Sequence, residues 1–209
     1  MTGFDLPGIT EEASGRPTIT VTNATLEGEG ASNVTIPSQT INGGTWSVTA
    51  GKLNLTLNTP STQAVSTWLS NDGRHFVGSV DGENVVTISD NTAQITSIKG
   101  LRYRANSIDY YVERAKYETD EETYIMASGI AYVYVSKDVT LNRGQKQGGL
   151  GDSATVTVTY SAFTLPLKTG WNLVQIDEEL QIYEDMKPTS GTMAVKIANR
   201  NVPWTIKVK

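Results

Sequence analysis

Few residues in this chain have the chemistry of a general base, a nucleophile or a metal ligand. The sequence of 209 residues holds one histidine and no cysteine. His75, in "SNDGRHFVG", could act as a base beside a serine or a carboxylate. A triad also needs a nucleophile and an orienting acid converging on that base. His75 instead follows a turn and precedes an apolar run, so a surface or strand-end role outweighs a catalytic one. Without cysteine there is no disulfide, no zinc–thiolate site and no thiol nucleophile.

Acidic clusters are the next candidates. "ETDEET" at Glu118–Thr123 and "DEE" at Asp177–Glu179 offer the oxygen ligands that calcium favours, and so do "NDG" at Asn71–Gly73 and "DGEN" at Asp81–Asn84. None has the twelve-residue spacing of an EF-hand, and Asp, Asn and Gly are also what tight turns require. A pair of carboxylates across a cleft could hydrolyse a glycoside, but no motif supports one. "GQKQGGLG" at Gly144–Gly151 lacks the closing Gly-Lys-Ser/Thr of a phosphate-binding loop, and reads as a mobile β-loop. The expectation is of no catalytic residue, no metal site and no cofactor.

Aromatic side chains are better supplied. Trp46, Trp68, Trp171 and Trp204 are spread along the chain, with Tyr103, Tyr110, Tyr111, Tyr117, Tyr124, Tyr132, Tyr134 and Tyr160 concentrated after residue 100. Exposed on a sheet, such rings can stack on sugars. Core or cross-strand packing is the more common use of a large ring, and it is the reading preferred here. Three N-x-Ser/Thr sequons, at Asn23, Asn33 and Asn54, are about what this composition gives by chance.

The elements that must position these residues read as strands. Ile19 and Val21 alternate with threonines, Trp46 and Val48 with Thr and Ser, and Leu53, Leu55 and Leu57 with Lys52, Asn54 and Thr56. Ala50-Gly51 is a hairpin turn between the last two runs. Pro37 marks an edge strand or a strand end. Ser61–Leu69 is expected to form a helix or a half-turn. Asp81-Gly82, Asp90-Asn91 and Thr119–Glu122 separate further strands. In "GIAYVYVSKDVTL" both faces are apolar, which predicts a central, covered strand. "FTLPLKTGWNLVQI", Phe163–Ile176, reads as a hairpin turning at Thr169-Gly170, with Trp171 as a fold anchor.

Short strands about ten residues apart predict an all-β fold, an antiparallel β-sandwich, with a partly closed β-barrel as the alternative. A sandwich is expected to gather Leu53, Leu55, Leu57, Val133, Val135 and Leu173 into one core. Residues 1–16 read as a flexible leader or tether, and 17–209 as a single β-rich domain. The alternative is a boundary near 98–106. Net charge is −5 with a pI of about 4.9. The nearest basic cluster, "KGLRYR" at Lys99–Arg104, is too sparse for phosphate contacts, so no nucleic-acid partner is expected. No apolar run has the roughly 18 residues that suggest a membrane span. "MTGFDLPGITEEASGRP" has neither the basic start nor the apolar centre of a signal peptide. Abundant Thr, Ser, Asn and Gly favour an exported protein from which the export segment has been removed.

Tyr132, Tyr134, Lys137, Asp138, Val139 and Thr140, with Gly144 offset, resemble a Y-x-Y-x-x-K-D-V-T-x-x-G strand. Leu165, Leu167, Lys168, Gly170, Trp171 and Asn172 resemble an L-x-L-K-x-G-W-N motif. Together they are similar to bacterial cell-envelope lipoproteins of poorly known function, over residues 130–176. "GGTWSVTAGKLNLTLNTP" is similar to a G-x-F-x-L-x-L-P strand near the start of such proteins. The resemblance implies a non-enzymatic lipoprotein at the cell surface or in the periplasm, held to the membrane only by a lipid. Its expected role is binding or adhesion, with a cell-surface component, a glycan or a small apolar molecule as partner. A β-barrel small-molecule carrier of the cell envelope is the alternative expectation.

Overall fold

Alternation of apolar and β-branched residues with Thr, Ser and Asn makes nearly every described segment a strand. The computed structural model describes residues 9–11, 19–67, 86–120, 124–150, 153–183, 187–198 and 202–208. The first strands are β1 (Ile9–Glu11), β2 (Ile19–Glu27), β3 (Ile36–Ile41), β4 (Gly44–Thr49), β5 (Lys52–Leu57) and β6 (Ser66–Thr67). The middle of the chain gives β7 (Thr87–Ile88), β8 (Gln94–Ile98), β9 (Gly100–Ala105), β10 (Ile108–Asp120), β11 (Tyr124–Val135) and β12 (Val139–Arg143). The last are β13 (Lys146–Leu150), β14 (Ser153–Tyr160), β15 (Phe163–Leu167), β16 (Gly170–Tyr183), β17 (Lys187–Ile197) and β18 (Trp204–Val208). The described residues hold one short 3-10 turn, Ala31–Asn33, and no α-helix. None of their helices is long and apolar enough to cross a membrane.

The fold is all-β, a sandwich of one large sheet and one small one. Fifteen strands join in the large sheet, whose main path is β13-β14-β17-β16-β11-β10-β18-β2-β5-β4-β3. The small sheet is β15-β12-β7. Pairing is antiparallel except for β14 with β17 and β18 with β2. The path ends at β13 and β3 and does not close, so the barrel alternative falls away. Pro37 lies in β3, at one of those edges, where a missing N–H does least harm.

β11 is the centre. From Ile130 to Val135 no residue is more than 9 % exposed. Its alternating faces serve different cores. Tyr132 and Tyr134 join Trp46, Leu53, Leu55 and Leu57 in the first, against which Leu173 also packs. Ala131, Val133 and Val135 join Leu141, Leu165 and Leu167 of the small sheet in the second. The single core expected from the sequence is therefore two, because a strand buried on both faces has a core on each.

Strand pairing corrects two expectations and adds a short strand ahead of residue 17. The glycine-rich segment is not a mobile loop over its described length: Lys146–Leu150 form β13, which pairs with β14. Within the expected leader, Ile9–Glu11 pair with Val21, Thr20 and Ile19 of β2. "FTLPLKTGWNLVQI" is not a hairpin. β15 pairs with β12 in the small sheet, whereas β16 pairs with β11 and β17 in the large one. The chain crosses between sheets at Lys168-Thr169, and similar crossings join β7 to β8 and β11 to β12.

Other expectations meet the structure directly. Ala50 and Gly51 turn with φ of 51° and 71°, the double positive φ of a type I′ hairpin. Asp90-Asn91 lie in the turn between β7 and β8. A turn near Thr62-Gln63 and the short β6 occupy the expected helix or half-turn, of which residues 68–69 lie outside the described set. Ile98 and Leu101, at the alternative boundary, both enter the first core beside residues from the amino-terminal strands.

Candidate functional site: a cleft where a hairpin splits

The aromatic residues divide by face. Trp46, Trp171 and Trp204 are buried. Trp171 donates from Nε1 to the carbonyl of Asn58 at 2.8 Å and meets Tyr134 edge-on, with centroids 5.6 Å apart. Trp204 stacks on Tyr132 at 6.0 Å. Tyr103 and Tyr110 form a tilted, half-buried pair. Tyr160 is buried, and with Phe163 it brackets the Arg143 guanidinium at 5.2 and 4.9 Å. Burial lowers the Arg143 pKa and raises that of Tyr160. Tyr111 lies under Arg102, and Tyr117 is exposed beneath Lys207. Trp68 and the side chain of Tyr124 lie outside the described set.

His75, Asn71–Gly73, Asp81–Asn84 and residues 121–123 also lie outside it. Among the described residues no three His, Cys, Asp or Glu side chains come together to hold a metal. Asp177 of the "DEE" cluster is structural: it accepts from Ser128 at 2.6 Å and Gln175 at 2.7 Å, and pairs with Lys196 at 2.5 Å. Burial would raise its pKa, but these partners outweigh burial and lower it.

The two family-like motifs meet at the sheet crossings. Asp138 accepts from the Thr169 amide at 2.8 Å, from its hydroxyl at 3.0 Å and from the Lys168 ammonium at 2.7 Å. The Asn172 side chain accepts from the Lys168 amide at 2.9 Å and donates to the Lys168 carbonyl at 2.7 Å. Lys137 reaches the preceding crossing, bonding Asp90 at 2.9 Å and Thr92 at 2.7 Å. Side-chain bonds from Thr92 and Lys137 hold Asp90 at a pKa of about 2. The Lys168 ammonium, then the Thr169 amide and hydroxyl, hold Asp138 at about 2. These carboxylates clamp one crossing to another, which is a fold role.

An open site lies elsewhere, and strand register explains it. β10 and β11 pair as a hairpin from Asp120↔Tyr124 to Ala115↔Gly129. Beyond that point they part. β9 takes up β10 from Glu113↔Gly100, and β8 takes up β11 from Tyr132↔Ile98. The chain from β8 to β9 is thus a wedge between the splayed strands, with Lys99 at its tip. A cleft of about 200 Å³ opens at the split. Its polar lining includes Lys99, Glu113, Arg114, Ser128 and Glu178, and its apolar lining includes Ala115, Ile130 and Ile176.

The charges in the cleft are held differently. Glu113 accepts from Tyr117 at 3.1 Å and pairs with Lys207 at 2.6 Å. Burial works against the Lys207 charge, but Glu113 and Tyr117 prevail and raise its pKa. Arg114 is buried and donates from Nε to the Val202 carbonyl at 2.9 Å. Lys99 is exposed as a residue, yet the protein crowded about its ammonium lowers its pKa, with Glu178 opposing through its field.

Gly129 is the telling residue of the lining. It sits inside a twelve-residue strand, where glycine weakens pairing. Its φ is not positive, and a Cβ there would meet nothing within 4 Å. Gly170, by contrast, turns the crossing with a φ of 99°. Neither backbone nor packing calls for glycine at 129, and the residue lines the cleft. Sequence reading missed Lys99, Glu178 and Gly129 as a group. The one available signal was a glycine opening the most apolar strand.

No protein-family model, curated protein or solved structure matches the chain.

Proposed function

We propose that the chain is a non-enzymatic binding module of a bacterial cell-envelope lipoprotein, acting at the cell surface or in the periplasm. The ligand sits in the cleft where β10 and β11 split. Gly129 carries this reading, because a strand interior that lacks a side chain without a conformational reason is a place for a ligand to approach. The charged lining favours a polar ligand over an apolar one. The carrier alternative loses its premise with the open sheet. The envelope assignment rests on the motifs of residues 130–176 and on composition.

A heat-shift screen of the chain against sugars, short glycans, amino acids and small apolar acids tests the cleft. A polar ligand is expected to raise the melting temperature, and Gly129→Val to abolish that shift. The variant itself should melt at or slightly above wild type, since a β-branched residue suits a strand better than glycine. A ligand shift that survives Gly129→Val places the site elsewhere. For the envelope assignment, the full-length gene product should incorporate labelled palmitate and fractionate with membranes; an unlabelled product in the cytosolic fraction refutes it.

A further inference from the structure

The cleft sets an aromatic ring and a carboxylate on either side of β11, and register fixes where they stand. Residues directly opposite one another in neighbouring strands share a face. Tyr117, Ala127 and Glu178 form one such row across β10, β11 and β16, and Ala115, Gly129 and Ile176 form the next. All six line the cleft. β10 and β16 are two strand spacings apart, about 9–10 Å. Between them β11 offers only Ala127 and a glycine whose added Cβ would meet nothing within 4 Å. Tyr117 stands on the β10 side. Its hydroxyl donates to Glu113 at 3.1 Å, so the ring lies back along the strand past Ala115. Lys207 reaches the ring from β18, on the flank of β10 away from β11, with Nζ 3.8 Å from the centroid. Held by both contacts, Tyr117 is still 51 % exposed. A large ring already fixed in place offers a stacking surface that loses little freedom on binding. Glu178 stands on the β16 side beside Ile176, and its carboxylate can accept hydrogen bonds from a ligand. The charged residues of the lining balance, Lys99 and Arg114 against Glu113 and Glu178. An ion of either sign therefore meets repulsion along with attraction, and a neutral ligand does not. Resting on the cleft as the binding site, we infer that its ligand is a neutral sugar in its ring form, with an apolar ring face on Tyr117 and hydroxyls donating to Glu178. A pyranose supplies what the two sides call for: C–H groups across a face and hydroxyl donors around the rim. The bonds to the carboxylate are charge-assisted, which makes them the stronger kind. The volume of about 200 Å³ falls below the usual range for drug-sized ligands and restricts the cleft to one sugar residue.

NMR titration of the whole chain with the neutral methyl pyranosides of glucose, galactose, mannose and N-acetylglucosamine tests this. Controls separate the parts: sorbitol has the hydroxyls without the ring, cyclohexanol has a ring with a single hydroxyl, and glucuronate and glucosamine add a charge. At least one neutral pyranoside is expected to bind about tenfold or more tightly than every control, a gain of about 1.4 kcal/mol. Tyr117→Ala should reduce it to the level of sorbitol, whereas Tyr117→Phe, which keeps the ring, should retain most of the affinity. Glu178→Ala should reduce it to the level of cyclohexanol. Tyr117 and Glu178 are exposed residues, so the variants should melt as wild type does. If no neutral pyranoside exceeds the controls, including the case of no binding at all, the sugar inference is overturned. It is equally overturned if Tyr117→Ala binds as wild type does, or if Tyr117→Phe loses as much as Tyr117→Ala. The cleft is judged separately by Gly129→Val: a pyranoside that still binds that variant overturns the cleft as its site. A ligand of another class that binds wild type and not that variant upholds the cleft and overturns the sugar.

Discussion

Trp171 ties the large sheet to the segment after β5. Its indole N–H ends on the Asn58 carbonyl, and its ring meets Tyr134 edge-on inside the first core. Trp171→Ala removes the packing and leaves that carbonyl without its donor, so a loss of about 3–5 kcal/mol is expected from urea unfolding. An unchanged midpoint would show that the ring anchors nothing. The role of anchor was legible from the apolar runs flanking the residue; its hydrogen-bond partner was not, because Asn58 is 113 residues away.

At the scale of elements, sheet crossings are joined by Asp90–Lys137 and Asp138–Lys168. Backbone bonds reinforce the first pair: Ser89 N–H donates to the Thr140 carbonyl at 3.0 Å and Ser136 N–H to the Gln94 carbonyl at 2.9 Å. Both carboxylates lie near pKa 2 against an ordinary 3.8, so the folded chain binds their protons less readily than the unfolded one. Their stabilisation is complete above about pH 4 and disappears as pH falls through about 2. Asp90→Asn with Asp138→Asn should therefore melt below wild type at pH 7, with the gap closing between pH 4 and pH 2. A gap that stays constant over that range would assign the loss to something other than ionisation. The sequence marked "KDV" and "LKTGWN" as a recurring pair of motifs without indicating that they touch. Reading the second as a hairpin failed because glycine with positive φ serves a crossing between sheets as well as a turn within one.

For the whole molecule, the decisive element is the strand shared by both cores. Trp46, Trp171 and Trp204 lie in the first core, and Leu141 is fully buried in the second. β11 sends alternate residues into each, so the cores should unfold in one transition. Leu141→Ala should cost about 2–5 kcal/mol and lower the midpoint seen by tryptophan fluorescence as much as that seen by far-UV circular dichroism. Separate midpoints would mean that the two cores fold independently.

The sequence by itself determined the class of fold, the burial of β11 on both faces and the hairpin at Ala50-Gly51. All three follow from local periodicity and backbone preference, which are written in consecutive residues. Only the tertiary structure decided that there are two main cores, one on each face of β11, that β15 and β16 belong to different sheets, and where the cleft lies. Lys99, Gly129 and Glu178 come to line one cleft because one hairpin splits around a third segment of chain. That event depends on long-range strand register, which alternating residues permit in several ways and only packing of the whole chain selects.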